Sequence, residues 1–187
     1  MGRRGYLSVA VLLLASLPLT ACGEGAGADR SGGWKALETA QLSLFYPASW
    51  KALPKRERGD GVNAAASLTK DGREVAKVGV QLRFISRGDA ELAVGAASAA
   101  IEFHGRIEGR WRIDVPGAEE AQRVDYVRIG DGAPGKAPDG AAINGIDVVG
   151  VDAEAQPFLV RINATSEGAD RSELERIAGS VELKAGG

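Results

Sequence analysis

Lys77-Val78-Gly79-Val80-Gln81-Leu82-Arg83-Phe84 alternates apolar with polar or small residues. Successive side chains of a strand point to opposite faces, so this period of two puts Val78, Val80, Leu82 and Phe84 on one side. Lys77, Gln81 and Arg83 then face the other side, and the stretch reads as a strand with one buried face. Upstream, Val62, Ala64, Ala66 and Leu68 alternate with Asn63, Ala65, Ser67 and Thr69. Asp71-Gly72 between the two runs is a pair that favours a tight hairpin. The same period recurs at Leu42, Leu44 and Tyr46 before Pro47 ends the run, and at Trp111, Ile113 and Val115 against Arg110, Arg112 and Asp114. Further strands fit residues 124–129, 143–151 and 158–162, with a short last one at 181–183.

Two stretches break this period. Residues 89–103 are rich in alanine, and Leu92, Ala96, Ala100 and Phe103 recur at helical spacing, which predicts a helix with that stripe inward. Asp89 is placed to cap its N-terminus. A second helix is expected over residues 170–178, where Asp170 and Glu173 have capping-box spacing. Leu174, Ile177 and Ala178 form its inward stripe, and Gly179 suits its end. Small alanines on the first helix would let it lie close to a sheet. The expected class is α+β, an antiparallel sheet of about six to eight strands with two helices packed on it. Hairpin-spaced connections without regular βαβ alternation argue against a parallel sheet.

Ahead of this region, Arg3 and Arg4 precede an apolar run from Leu7 to Leu19. That run is shorter than the about 20 residues a helix needs to span a hydrocarbon layer, so it reads as a secretory leader. Leu19-Thr20-Ala21-Cys22 closes it and resembles the lipobox of bacterial lipoproteins. That resemblance implies removal of residues 1–21 and a diacylglyceryl group on the Cys22 sulfur. Two acyl chains anchor stably where one is marginal. Cys22 is the only cysteine, so no internal disulfide can form, and lipidation accounts for its presence in an oxidising compartment. Residues 22–33 are glycine-rich and read as a flexible tether. Residues 34–187 are of a size for one domain with its own core. The formal net charge is −2 and becomes slightly more acidic once the leader arginines go, so no basic surplus points to nucleic acid. Arginine well outnumbers lysine and Gly and Ala abound, a bias of GC-rich genomes such as those of actinobacteria.

Three local patterns carry a family resemblance. Leu44-Phe45-Tyr46-Pro47-Ala48-Ser49-Trp50-Lys51 is an early strand ending in a proline–tryptophan corner. Pro116-Gly117-Ala118-Glu119-Glu120-Ala121 leads into the strand at Val124, and Ile177-Ala178-Gly179-Ser180-Val181-Glu182-Leu183 runs a terminal helix into a final strand. Together they resemble PsbP-like domains and the related LpqN-type actinobacterial lipoproteins, over roughly residues 34–184. The resemblance implies an α-β-α sandwich around an antiparallel sheet. It also implies a binding or assembly role, with no shared catalytic set to carry over.

Reactive chemistry is sparse. His104 is the only histidine and Cys22 is consumed by lipid, which excludes a histidine–thiol pair and the usual zinc sites. Gly130-Asp131-Gly132-Ala133-Pro134-Gly135 spells a dinucleotide fingerprint, but prolines and a strand follow where the motif needs a helix, so it reads as a hairpin loop. Asp131, Asp139 and Asp152 lack the alternating acidic spacing of a calcium loop. Glu119 and Glu120 are adjacent, hence on opposite faces of a strand unless a bulge intervenes. Both Arg-Gly-Asp strings and Asn163-Ala164-Thr165 read as chance matches. Most large aromatics, Trp34, Trp111, Tyr46 and Tyr126 among them, are expected as core or core-edge anchors. Trp50, beside its proline corner, is the aromatic best placed to line a groove. Lys51, Lys55, Arg56 and Arg58 follow it and form a candidate contact with phosphate headgroups.

The expected function is that of a non-enzymatic, lipid-anchored module on the outer face of the cell membrane. Its partners are the membrane and an envelope component, and it needs no cofactor or metal. The alternative is a carrier that encloses a lipid or hydrophobic small molecule between sheet and helix. Catalysis by carboxylates and serines alone is the remote third.

Overall fold

The computed structural model describes residues 32–184. The leader, Cys22 and most of the tether lie outside the described residues. The chain runs β1 (Trp34–Glu38), β2 (Leu42–Pro47), β3 (Lys51–Ala52), β4 (Ala64–Lys70) and β5 (Arg73–Leu82), then helix α1 (Ala90–Glu102). It continues through β6 (Gly105–Ile113), β7 (Ala118–Ile129), β8 (Ala142–Asp152) and β9 (Pro157–Ala164) to α2 (Arg171–Ala178) and β10 (Glu182–Leu183). Seven strands form one sheet in the order β3-β4-β5-β9-β8-β7-β6, with every pairing antiparallel. A second sheet, β1-β2-β10, is smaller and also antiparallel. The two sheets and two helices make the expected α+β sandwich.

The large sheet buries both faces, which is why its central strands are apolar on both sides. One face packs against the small sheet and α2. Val78 and Val80 of β5, Ile146 and Val148 of β8, and Phe158, Val160 and Ile162 of β9 meet Leu42, Leu44, Leu174 and Ile177 there. The other face packs against α1, where Val124 and Tyr126 of β7, Val149 and Leu159 meet Ala93, Val94, Ala97 and Ile101. The β4–β5 turn takes positive φ at both Asp71 and Gly72, as a two-residue hairpin requires.

Both helices start where the sequence places them. Asp89 accepts from the Leu92 N–H at 2.8 Å, and Asp170 accepts from the Glu173 N–H at 2.8 Å while Glu173 reaches back to the Asp170 N–H. The inward face of α1 differs from expectation. Ala90, Ala93, Val94, Ala97, Ser98 and Ile101 face the sheet, whereas Leu92 and Phe103 are 56% and 82% exposed. Alanine occurs all round this helix, so periodicity does not fix its phase. Turning the smaller stripe inward lets the backbone approach closely enough for the Ala97 carbonyl to accept from Arg161. Gly179 ends α2 with ordinary helical angles (φ −71°), so its freedom to adopt positive φ goes unused.

Two aromatics also differ. Arg83 takes φ 55° and breaks the alternation after Leu82, so Phe84 joins the α1 cluster instead of lining up with Val78 and Val80. Trp111, on the last strand of the sheet, is half exposed, with the Arg123 guanidinium over its ring. Each end of the large sheet is blunt. At one end β3 is only two residues long; at the other, β6 carries a bulge between Ile107 and Gly109 among Arg106, Glu108, Arg110 and Arg112.

Candidate functional site

Helix α1 ends at Glu102 and leaves part of its side of the large sheet uncovered, and a cleft of about 420 Å³ opens there. The floor follows from register. Lys77 of β5 pairs with Asn163 of β9, Asn163 with Gly145 of β8, and Gly145 with Tyr126 of β7. In the next row Gly79 pairs with Arg161, and Arg161 with Asp147. Paired residues share a face, so these side chains line up beside α1. One wall is the segment carrying Arg58 and Val62. Another is the β7–β8 loop with Asp131, Ala133 and Lys136, and His104 closes the end of α1.

Four polar side chains of this floor are joined, two of them buried and two half-buried. Asp147 is fully buried and accepts from Arg161 through Nε (3.0 and 3.1 Å) and Nη2 (2.6 Å). The Tyr126 hydroxyl donates to Asn163 Oδ1 at 2.6 Å and lies 3.3 Å from Asp147 Oδ1. Burial pushes the Asp147 carboxyl up while Arg161 pulls it back. Burial also favours loss of the Arg161 charge, but hydrogen bonds and attraction to Asp147 outweigh it and hold the guanidinium ionised. Tyr126 is pushed well above its ordinary value by burial and then by the Asp147 charge, so at neutral pH it is a phenol. The Tyr126 ring lies over its cross-strand partner Gly145, which has no Cβ to displace it.

Around the rim, Glu74 is shared between Lys136 (2.9 Å) and Lys77 (3.6 Å), and Asp131 accepts from the Ala133 N–H at 3.1 Å. Arg128 stands two residues beyond Tyr126 on β7. Its Nε is buried without a hydrogen-bond partner, and among the described residues it forms no salt bridge. The arrangement is an open, cationic cleft of a size typical of small-molecule sites.

The residues singled out from sequence scatter. Trp50 is 2% exposed inside the core, held by the corner it forms with Pro47, and lines no groove; the expectation for it is corrected. Lys51 on β3 and Lys55 and Arg56 in the turn just after it are exposed. Arg58 turns away from them, donating to the Leu53 carbonyl (2.7 Å) and the Asn63 carbonyl (2.5 Å), and faces the cleft. A bulge does intervene at Glu119-Glu120, but Arg112 takes Glu120 at 2.6 Å while Glu119 is exposed. Asp152 accepts the Glu154 and Gln156 N–H groups in a turn. No group of three metal-ligating side chains occurs among the described residues.

Asp147, Arg161 and Arg128 were not singled out by sequence reasoning, and Asn163 entered only in a string set aside as a chance match. The first two left a signal: Asp147 interrupts Ile146–Val149 and Arg161 interrupts Phe158–Ile162, opposite charges in two otherwise apolar central strands. Arg128 left none beyond lying on a strand.

This is a PsbP-like fold. The chain is similar in structure to cyanobacterial PsbP (CyanoP) from Synechocystis sp. PCC 6803, with TM-score 0.54 and 13% identity over 89% of this chain and 99% of that one. It is also similar to LpqN, a protein involved in cell envelope biogenesis of Mycobacterium tuberculosis, with TM-score 0.51 and 13% identity over 77% of this chain and 83% of that one. At these identities the likeness is one of fold. No protein-family model and no curated protein sequence matches the chain.

Proposed function

We propose that the chain is a non-enzymatic binding module of the cell envelope, held on a membrane by acyl groups on Cys22, with the cleft beside α1 as its binding surface. The observation that carries this reading is the cleft itself. Helix α1 lies over β6, β7, β8 and β9, and where it stops strand side chains stand open between two built walls. The Asp147–Arg161–Tyr126–Asn163 group holds the floor rigid, as recognition without chemistry demands. The lipobox, the fold shared with LpqN, and the lack of any membrane-crossing helix among the described residues accord with a surface anchor.

The tether enters the domain where Gly33 accepts from the Ala48 N–H, near the segment 51–56 that exposes Lys51, Lys55 and Arg56. These three cations are therefore the ones to rest on anionic headgroups. A hydrophobic cargo between helix and sheet has less support. Ala90, Ala93 and Ala97 are at most 2% exposed, and the cleft is rimmed by charge.

The test uses the full chain in its host. A photo-crosslinking residue at Lys136, on the cleft wall, is expected to capture a discrete partner or ligand. The same residue at Ser172, on α2, is expected to capture none. Equal capture at both sites refutes the cleft. Membrane retention of Cys22→Ser after fractionation refutes the anchor.

A further inference from the structure

We propose that the cleft recognises a small organic molecule through an oxyanion head group, carboxylate or phosphate, bound by Arg128. The inference rests on the binding-module reading and adds its ligand class. Every other charged side chain that lines the cleft floor has an internal partner. Arg161 is taken by Asp147, and Lys77 and Lys136 share Glu74. Arg58 is tied down by two carbonyls and Asp131 by a backbone N–H. Arg128 alone of these has neither a side-chain hydrogen bond nor a salt bridge among the described residues, and the buried Asp147 carboxylate attracts it only through space.

A guanidinium presents its donors in a planar fork that matches two oxygens of one oxyanion. The Arg128 Nε is shielded from water and so from a ligand, which leaves the Nη groups of this half-buried side chain, on the cleft lining, to meet the oxyanion. The floor leaves room for the rest of such a molecule. A Cβ built on Gly79 meets only Val62 Cγ1, at 3.7 Å, so the space above β5 at that point is open. Asn163, whose Oδ1 already accepts from Tyr126, keeps its amide N–H groups for a ligand acceptor.

The experiment follows the Nε–H resonances of the arginines in the full chain by NMR, at near-physiological salt so that loose pairing is screened. The probes are glycerol 3-phosphate, succinate and phosphatidylglycerol vesicles. Saturable shifts at Arg128 with either soluble probe are expected. Arg128→Gln should weaken binding at least tenfold, and Arg128→Lys less. Gly79→Leu, which fills the cleft without removing charge, should abolish it. A response to vesicles alone assigns the oxyanion to a lipid headgroup.

Shifts spread over exposed arginines without saturation overturn the proposal, as does binding that survives both Arg128→Gln and Gly79→Leu. Undiminished crosslinking at Lys136 in Arg128→Gln, with an unresponsive Arg128, overturns the oxyanion and leaves the binding module standing. Should Arg128→Gln fail to fold, Gly79→Leu decides alone.

Discussion

Replacing Gly79 and Gly145 by alanine, one at a time, is expected to move stability in opposite directions. Both glycines lie on the face of the large sheet that carries α1 and the cleft, on strands separated only by β9. A Cβ at position 145 falls 2.1 Å from Tyr126 Cζ, 2.3 Å from Cε2 and 2.6 Å from the hydroxyl. The ring is 1% exposed and its hydroxyl is bonded to Asn163, so it has nowhere to swing. Forcing extra atoms into such a site costs about 1–3 kcal/mol. Removing glycine's freedom from the unfolded chain returns about 0.4–1 kcal/mol. The net for Gly145→Ala is a loss of about 1–2 kcal/mol. At position 79 the nearest atom is 3.7 Å away, so only the gain of about 0.4–1 kcal/mol remains. With a urea slope of about 2 kcal/mol/M, the two variants should melt about 1 M apart, on either side of the parent chain. Urea titration followed by the fluorescence of buried Trp50 measures this. Shifts of the same sign, or a Gly145→Ala midpoint equal to that of the parent, refute the packing argument.

Arg161→Met should cost about 3–5 kcal/mol in denaturant melts, because it strands a fully buried carboxylate, while Arg161→Met with Asp147→Leu should recover most of the loss. Burial already raises Asp147, so its folded form holds a proton more tightly than the unfolded chain does; the single variant should therefore be most stable in acid and lose stability as pH rises through the raised value. Ile101→Ala should lower stability by about 2–5 kcal/mol, whereas Phe103→Ser should stay within about 0.5 kcal/mol, and the reverse ranking in thermal melts would restore the stripe read from sequence. The Ser172 hydroxyl and the Glu173 N–H hold the Asp170 carboxyl below its ordinary range, so the cap's contribution is present above that range and is lost as pH falls through the depressed value. A carboxyl titration of Asp170 by NMR that is centred at or above the ordinary value would contradict the capping geometry.

Where side-chain size and spacing both vary, the sequence is legible. Helix α2 is one such case: its cap, its Leu174–Ile177 stripe and its end all coincide with the structure. The strands flanking Asp71-Gly72 are another. Helix α1 is legible in extent but not in phase, since alanines on every side leave several equivalent apolar faces. Strands β1 and β3 went unread because β1 alternates weakly and β3 is two residues long. The cleft was illegible for a further reason. Its floor draws on residues from Lys77 to Thr165, and alternation marks those side chains only as facing away from one core. Which part of that face stays open depends on where α1 stops and how the loop after β7 folds back, and neither is written in any local pattern. Arg58 shows the same limit: it belongs to a basic run by sequence, yet two backbone carbonyls turn it from its neighbours toward the cleft.

The blunt margins of the large sheet bear on how such molecules coexist at high density. A strand with a free, regular border invites a neighbouring copy to continue the ladder, and crowding multiplies the encounters. The bulge in β6 interrupts the spacing a docking strand would need, and its alternating charges resist being stripped of water. A two-residue β3 offers almost nothing to extend. Crowded copies should therefore meet without polymerising.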